Sequence, residues 1–260
     1  MAKLNWAAVA LLISLLGFAC MTAAEKKCEP GHGGQECELN TATIFYEHEP
    51  FSDLHLRPKD LNGWSPGYEV YKGICDQAHG VQTIVEIGVW KGLSASHLAN
   101  YLKSQGGGVL FAVDTWTGNL HLWKRKIHDA ITNLHLKNGY PTVYWTFLSN
   151  MVHEGVSEYI IPFPVTSRMA SEFFEEKKLQ ADVIHIDADH EYDDAKEDIA
   201  LWWPLVRPCG ILLGDDYSQS WPGVVKAVNE FAKDNNLKLQ TDGFKWFVRK
   251  PALPSKACEV

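Results

Sequence analysis

The sequence predicts an α/β fold in which a mostly parallel, seven-stranded sheet carries helices on both faces and closes with an antiparallel hairpin. Three observations predict it. From residue 68 onward, short apolar runs alternate with segments of helical periodicity. The runs are continuous rather than alternating, as strands buried on both faces are. Near the C-terminus, two strand-like segments flank Asp242-Gly243, a dipeptide suited to a tight hairpin turn.

The elements follow in order. Residues 25–66 read as irregular, punctuated by Pro30, Pro50, Pro58 and Pro66. A helix is expected over Tyr68–His79, then a buried strand over Thr83–Gly88 and a helix over Leu93–Lys103. Val109–Asp114 is a second strand, and His121–Val156 a longer helical stretch broken near Gly139-Tyr140-Pro141. Ile160–Val165 is strand-like and Met169–Lys178 helical, followed by a strand over Asp182–Asp187 and a helix over Asp193–Val206. Gly210–Gly214 is the fifth strand, Val224–Asn235 the last helix, and Leu237–Thr241 with Phe244–Arg249 form the hairpin. The unit spans residues 67–250, with a short tail over 251–260. In such sheets ligands bind at the carboxyl ends of the strands, near the point where strand order reverses.

The chain has 260 residues, 46% hydrophobic and 22% charged, enough for one domain with a core of its own. A net charge of -8 excludes the basic face that a general nucleic-acid binder needs, so no nucleic-acid partner is expected.

The N-terminus carries a separate signal. Lys3 precedes an apolar run from Trp6 to Met21, and Thr22-Ala23-Ala24 offers the small residues that a signal peptidase reads. Residues 1–24 therefore read as a signal peptide cut after Ala24 or as an uncleaved signal anchor, which would be the chain's one membrane contact. Either reading places the protein in the secretory pathway, secreted or lumenal. Cys28 and Cys37 bracket a small Gly- and Pro-containing loop and are expected to form a disulfide in an oxidising compartment; a zinc site using His32 is the rival, without a second ligand pair of matching spacing. Cys75, Cys209 and Cys258 leave an odd count, and Cys209, in an apolar segment, reads as simply buried.

Four strand ends carry the chemistry. In Val85-Glu86-Ile87-Gly88-Val89-Trp90-Lys91-Gly92-Leu93-Ser94, Gly88 permits a tight turn, and Gly92 is expected to let backbone approach a ligand ahead of a helix N-terminus. Trp90 and Lys91 stand where a dinucleotide fingerprint has its second glycine, which argues against a nicotinamide cofactor. Glu86 would repel phosphate but suits an ammonium group. Asp114 is placed to accept ribose hydroxyls, or else to cap a helix. Together they describe a nucleoside without phosphate that bears an amino-acid end. His185-Ile186-Asp187-Ala188-Asp189-His190 and Gly214-Asp215-Asp216-Tyr217 bring carboxylates and an imidazole to neighbouring strand ends, a grouping that suits a hard divalent cation. Singly, Asp189 also reads as a helix cap and His190 as a solvated loop residue.

The run Asp182–His190, the Leu201-Trp202-Trp203-Pro204-Leu205 helix end and Gly210–Tyr217 resemble class I S-adenosylmethionine-dependent methyltransferases. Val113-Asp114-Thr115-Trp116 and Phe147-Leu148-Ser149-Asn150 also fit the branch containing the macrocin and mycinamicin sugar O-methyltransferases. The resemblance covers roughly residues 68–250. It implies a Rossmann-like class I methyltransferase fold, with S-adenosylmethionine at Glu86, Gly88, Gly92, Ser94, Asp114 and Ser167. It further implies Mg²⁺ held by Asp187, Asp215 and Asp216, and His190 as general base. Cys209 departs from the pattern, where glycine is usual, and the secretory N-terminus departs from relatives that act in bacterial cytoplasm. The expected partner is a small-molecule or glycan acceptor; residues 25–66 and 117–156 are expected to build its pocket, and an assembly of identical chains is compatible with the sequence. A hydroxylase-like enzyme or a non-catalytic secreted binding protein on the same fold are the rival functions.

Overall fold

The computed structural model of the protein describes residues 50–125, 132–253 and 258. The signal segment and the Cys28–Cys37 pair lie outside the described residues. Among the described residues no helix is long and apolar enough to cross a membrane.

Seven strands form one sheet: β1 (Thr83–Ile87), β2 (Val109–Val113), β3 (Ile160–Phe163), β4 (Ala181–Ile186), β5 (Val206–Gly214), β6 (Gln240–Asp242) and β7 (Lys245–Arg249). Their spatial order is β3-β2-β1-β4-β5-β7-β6. Only β7 runs against the rest, pairing antiparallel with both β5 and β6. The order reverses between β1 and β4, which pair in parallel with Glu86 opposite His185. This is the predicted α/β architecture. The β-branched runs explain it: β1, β2 and β4 are buried at every position, so both faces of the central strands are covered.

Two helical layers do the covering. On one face lie α1 (Tyr68–Cys75), α2 (Leu93–Ser104), α3 (Leu120–Arg125) and α4 (Val143–His153), whose Tyr71, Leu98, Leu122 and Phe147 pack against alternate strand residues such as Ile84 and Leu213. On the other face lie α5 (Ser167–Glu176), α6 (Tyr192–Trp202) and α7 (Pro222–Asp234), whose Phe174, Trp202 and Val228 pack against Val85, Ile184 and Leu212. The two-residue period of a strand decides which layer each side chain meets.

Several boundaries differ from the sequence expectation, each for a local reason. The first helix stops at Cys75 and runs on as a 3₁₀ turn over Asp76–Ala78, where His79 takes φ 37°. The helix expected to reach Val206 ends at Trp202, because Pro204 sits in a 3₁₀ turn over Trp203–Leu205. Lys250 then donates to the carbonyls of Trp203, Pro204 and Val206, satisfying groups that the shortened helix leaves open. β5 consequently starts at Val206 rather than Gly210. Cys209 does not sit buried alone: its Sγ lies at bonding distance from that of Cys258, 49 residues on, with Cα atoms 5.5 Å apart. Among the described residues, Cys75 is the free, buried thiol.

Residues 50–66 form no regular element but are fastened to α4. Asn150 accepts from Asp60 N (2.9 Å) and donates to the carbonyls of Asp60 and Lys91 (both 2.7 Å). Arg57 N donates to Ser149 Oγ (3.0 Å), and the Arg57 guanidinium donates to Thr142 O (2.8 Å). Lys91, almost wholly buried, reaches Asp60 at 2.6 Å.

Candidate active site

The carboxyl ends of β1, β2, β4 and β5 meet at the reversal point, and the loop after β1 is held from several sides. Gly88 takes φ +83°, and a Cβ there would lie 2.0 Å from the Asp187 carbonyl oxygen. Only glycine lets the β1 and β4 ends touch, and Asp187 N donates to Ile87 O across that contact (2.8 Å). Gly92 is needed where α4 packs against the loop. It takes φ +87°, and its Cβ would meet Met151 Cε at 2.6 Å and Phe147 Cδ2 at 2.8 Å. Helix α4 approaches the backbone there.

Asp114 lies at the end of β2, as the sequence indicates, and its carboxylate grips the same loop. Oδ2 accepts from Val89 N (2.9 Å) and Trp90 N (2.8 Å), while Oδ1 accepts from Trp116 N (2.7 Å). Trp116 Nε1 donates to Trp90 O (2.8 Å), fixing Trp90 at φ 53°. Burial pushes the Asp114 carboxyl up from its ordinary value, against the pull of the surrounding backbone N–H groups.

The sheet brings four ionisable side chains together on the α1–α2 face. Strand alternation sends Glu86 and His185 to that side, and Lys245 follows the same parity as Phe247. Glu86 Oε1 lies 3.0 Å from His185 Nδ1; His185 Nε2 lies 3.0 Å from Lys245 Nζ; Lys245 Nζ donates to Asp215 Oδ2 at 2.5 Å. The proton positions follow from the chain itself. An ammonium only donates, so Nε2 accepts, Nδ1 carries the hydrogen and donates to Glu86. Burial, joined by the Lys245 charge, holds the imidazole well below its ordinary value, so His185 is neutral. Burial also pushes Glu86 up to about 8, although the Ser94 hydroxyl in the first turn of α2 draws it back. Glu86 Oε2 has no hydrogen-bond partner among the described residues. The Lys245 ammonium lies 5.0 Å from the Tyr71 ring centroid.

Beyond β4 and β5 stands a second cluster. Asp187, His190 and Asp216 each offer one donor atom, all within 4.8 Å of one another. His190 Nε2 is hydrogen-bonded to Asp216 Oδ2 and lies 3.9 Å from Asp187 Oδ1. Trp221 stacks on the imidazole with centroids 4.4 Å apart. Burial lowers the His190 basicity, but the Asp216 bond and the charges of Asp216, Asp187 and Asp189 outweigh it, leaving the group raised. Asp187 is pushed up to about 7 by burial and by Asp215 and Asp216, against the opposing charge of Lys245. A divalent cation fits this donor set, since it would relieve that mutual repulsion.

Two residues expected in these groups stand elsewhere. Asp215 is paired with Lys245 rather than grouped with Asp187, His190 and Asp216, although its charge still acts on Asp187, and its Oδ1 accepts from Asp216 N (2.7 Å). Ser167 lies in the opposite helical layer, hydrogen-bonded to Asp198 and accepting from Trp202 Nε1 at 2.9 Å. The sequence assigns no role to His185 within its motif, and none to Lys245 or Trp221. A lysine heading the apolar run Trp246-Phe247-Val248 and a histidine inside Val183–Ile186 were the available signals.

A reversed-order α/β sheet with acids at the ends of β1, β2, β4 and β5 is the architecture of class I S-adenosylmethionine methyltransferases. A family described as a methyltransferase domain matches residues 85–217, and the chain belongs to it. No curated protein sequence matches the chain. Among solved structures, the O-methyltransferase NovP is 19% identical at a TM-score of 0.53, over 71% of this chain and 79% of its own. Apo CalS11, described as a TDP-rhamnose 3'-O-methyltransferase in calicheamicin biosynthesis, is 16% identical at a TM-score of 0.51, over 70% and 78%. At such identities the likeness is one of fold.

Proposed function

We propose that the protein transfers a methyl group from S-adenosylmethionine to a hydroxyl of a sugar or other small molecule, assisted by a divalent cation such as Mg²⁺, on the secretory route. The observation that carries the reading is the Gly88–Asp187 contact, which abuts the rigid loop after β1 with the Asp187, His190 and Asp216 cluster. A methyl donor on one side and an acceptor oxygen on the other would share that seam, and positioning supplies much of the rate of such an in-line displacement.

Glu86 Oε2, buried and unpartnered, suits the ammonium end of the cofactor, while Asp114 Oδ1 suits a ribose hydroxyl. Asp187 and Asp216 would hold the cation. Bound there, it supplies the positive charge that makes an acceptor hydroxyl easier to deprotonate. His190 takes the proton, because the three nearby carboxylates stabilise its cationic form, and Asp216 orients the ring. Trp221 offers a flat face beside that imidazole, suited to a sugar ring or a phenol. The apolar run Trp6–Met21 supports entry into the secretory pathway.

The test is methyl transfer by the purified protein to panels of sugars and catechols, with and without Mg²⁺. His190→Ala should keep Mn²⁺ and cofactor binding while losing about 10²–10⁴-fold in rate. Loss of Mn²⁺ binding in that variant would recast His190 as a ligand. Full turnover in excess chelator would remove the cation from the reaction, and S-adenosylmethionine binding without turnover on any acceptor would leave a binding protein.

A further inference from the structure

We propose that Lys245 is the residue that decides which carboxylates of this site are open to a divalent cation: it holds Asp215 as a permanent internal counter-ion and leaves Asp187 and Asp216 to the metal. The inference rests on the cation-assisted reading above. It departs from the ligand set Asp187, Asp215 and Asp216 that the sequence resemblance implies.

The geometry is specific. The Lys245 side chain is 1% exposed, and its ammonium is surrounded by protein on the α1–α2 face. Asp215 Oδ2, at 2.5 Å, is its one carboxylate partner among the described residues. The other polar contact is His185 Nε2 at 3.0 Å, which is neutral and cannot balance the charge. An ammonium stripped of water and deprived of its counter-ion is strongly destabilised, so Asp215 is not released to a metal at small cost. Lysine and carboxylate are also brought together by the sheet rather than by flexible loops. Gly214 pairs with Trp246 across β5 and β7, so the next residues outward, Asp215 and Lys245, face each other on one side. Asp216 has the opposite fate. Its φ of 59° turns the chain sharply after Asp215, and its carboxylate emerges beside His190 and Asp187. The adjacent acids Asp215 and Asp216 thus have separate tasks, set by one lysine 30 residues away.

Mn²⁺ alone, titrated by calorimetry into the full-length protein and variants, tests this. Asp187→Asn and Asp216→Asn should each weaken Mn²⁺ binding by about 10–100-fold, and Asp215→Asn by less than about threefold. Lys245→Met frees the Asp215 carboxylate and should tighten Mn²⁺ binding by about tenfold, because affinity follows ligand charge. The double variant Lys245→Met/Asp215→Asn should return near the wild-type value. Thermal melts check that each variant folds; should Lys245→Met not fold, the Asp215→Asn comparison still decides. Loss of binding in Asp215→Asn equal to that in Asp187→Asn overturns the proposal. Wild-type protein that binds no Mn²⁺ defeats the cation-assisted reading alone: gain of binding in Lys245→Met then supports the role of Lys245, and no gain overturns it.

Discussion

Glu86 shows how far burial can change what a residue offers. Its position at the end of β1 suggests a negative charge for an ammonium, yet burial holds its carboxyl near 8. Oε1 is committed to His185, so the proton resides on Oε2 until a cationic ligand displaces it. Stability should report this directly. Between its ordinary value near 4.5 and about 8, the unfolded chain releases the proton while the folded chain keeps it. The folded state then binds more protons, so the contribution of Glu86 is complete at low pH and declines as pH rises through that window. At about 1.4 kcal/mol per pKa unit, the decline amounts to a few kcal/mol. Glu86→Gln removes it. Thermal melts of ligand-free protein should show wild type and variant alike near pH 5, with the variant more stable near pH 8. Parallel melting curves across that range would show that Glu86 is charged throughout.

Elements explain both what the sequence revealed and what it concealed. The strands are legible because a sheet covered on both faces demands continuous apolar runs, and Ile84-Val85 and Val183-Ile184 answer that demand. The strand-end acids Glu86 and Asp114 are legible for a related reason: a carboxylate ending such a run stands out in the sequence. The Lys245 pairing was not, because Asp215 and His185 lie 30 and 60 residues from it and only the order β4-β5-β7 makes them neighbours. Nor could side-chain identities reveal that Asp114 would spend its bonds on loop amides. The segment 50–66 makes the same point at the level of an element, since one of its ties is a buried cation. Lys91 is 3% exposed and Asp60 about a third exposed, so removing each partner has a different cost. Asp60→Ala strands a buried ammonium and should lower unfolding free energy by about 1–3 kcal/mol, discounted for the exposure of Asp60. Lys91→Met keeps the buried stem and should cost less. Denaturant titration of the two variants settles the order, and an equal or larger loss for Lys91→Met would show that the ion pair itself, not the burial of a lone charge, holds the segment.

At the scale of the whole molecule, the closing of the C-terminus is the least expected feature. β7 lies between β5 and β6, so the chain leaves the sheet beside the start of β5, where Cys209 N donates to Lys250 O and Lys250 N to Gly210 O. That exit brings Cys258 back to Cys209 and ties the tail after β7 to β5, the strand that Asp215 follows and that pairs with the strand carrying Lys245. In the chain-entropy account, a bridge spanning 49 residues stabilises by at most about 4 kcal/mol, acting on the unfolded state. In a chain of this size that corresponds to a rise in melting temperature on the order of 10 °C. Oxidised wild-type protein should therefore melt several degrees above both the reduced protein and Cys258→Ser. Cys75, fully buried in the core, should react with thiol reagents only after unfolding, which separates its signal from that of the pair. The site is the second readout. Because the tie fixes the strand pair and not the acids directly, reduction should leave Mn²⁺ affinity within about threefold while stability falls. Equal melting temperatures with and without reductant, alongside mass spectrometry showing Cys209 and Cys258 both as free thiols in the oxidised sample, would remove the bridge from the account of stability.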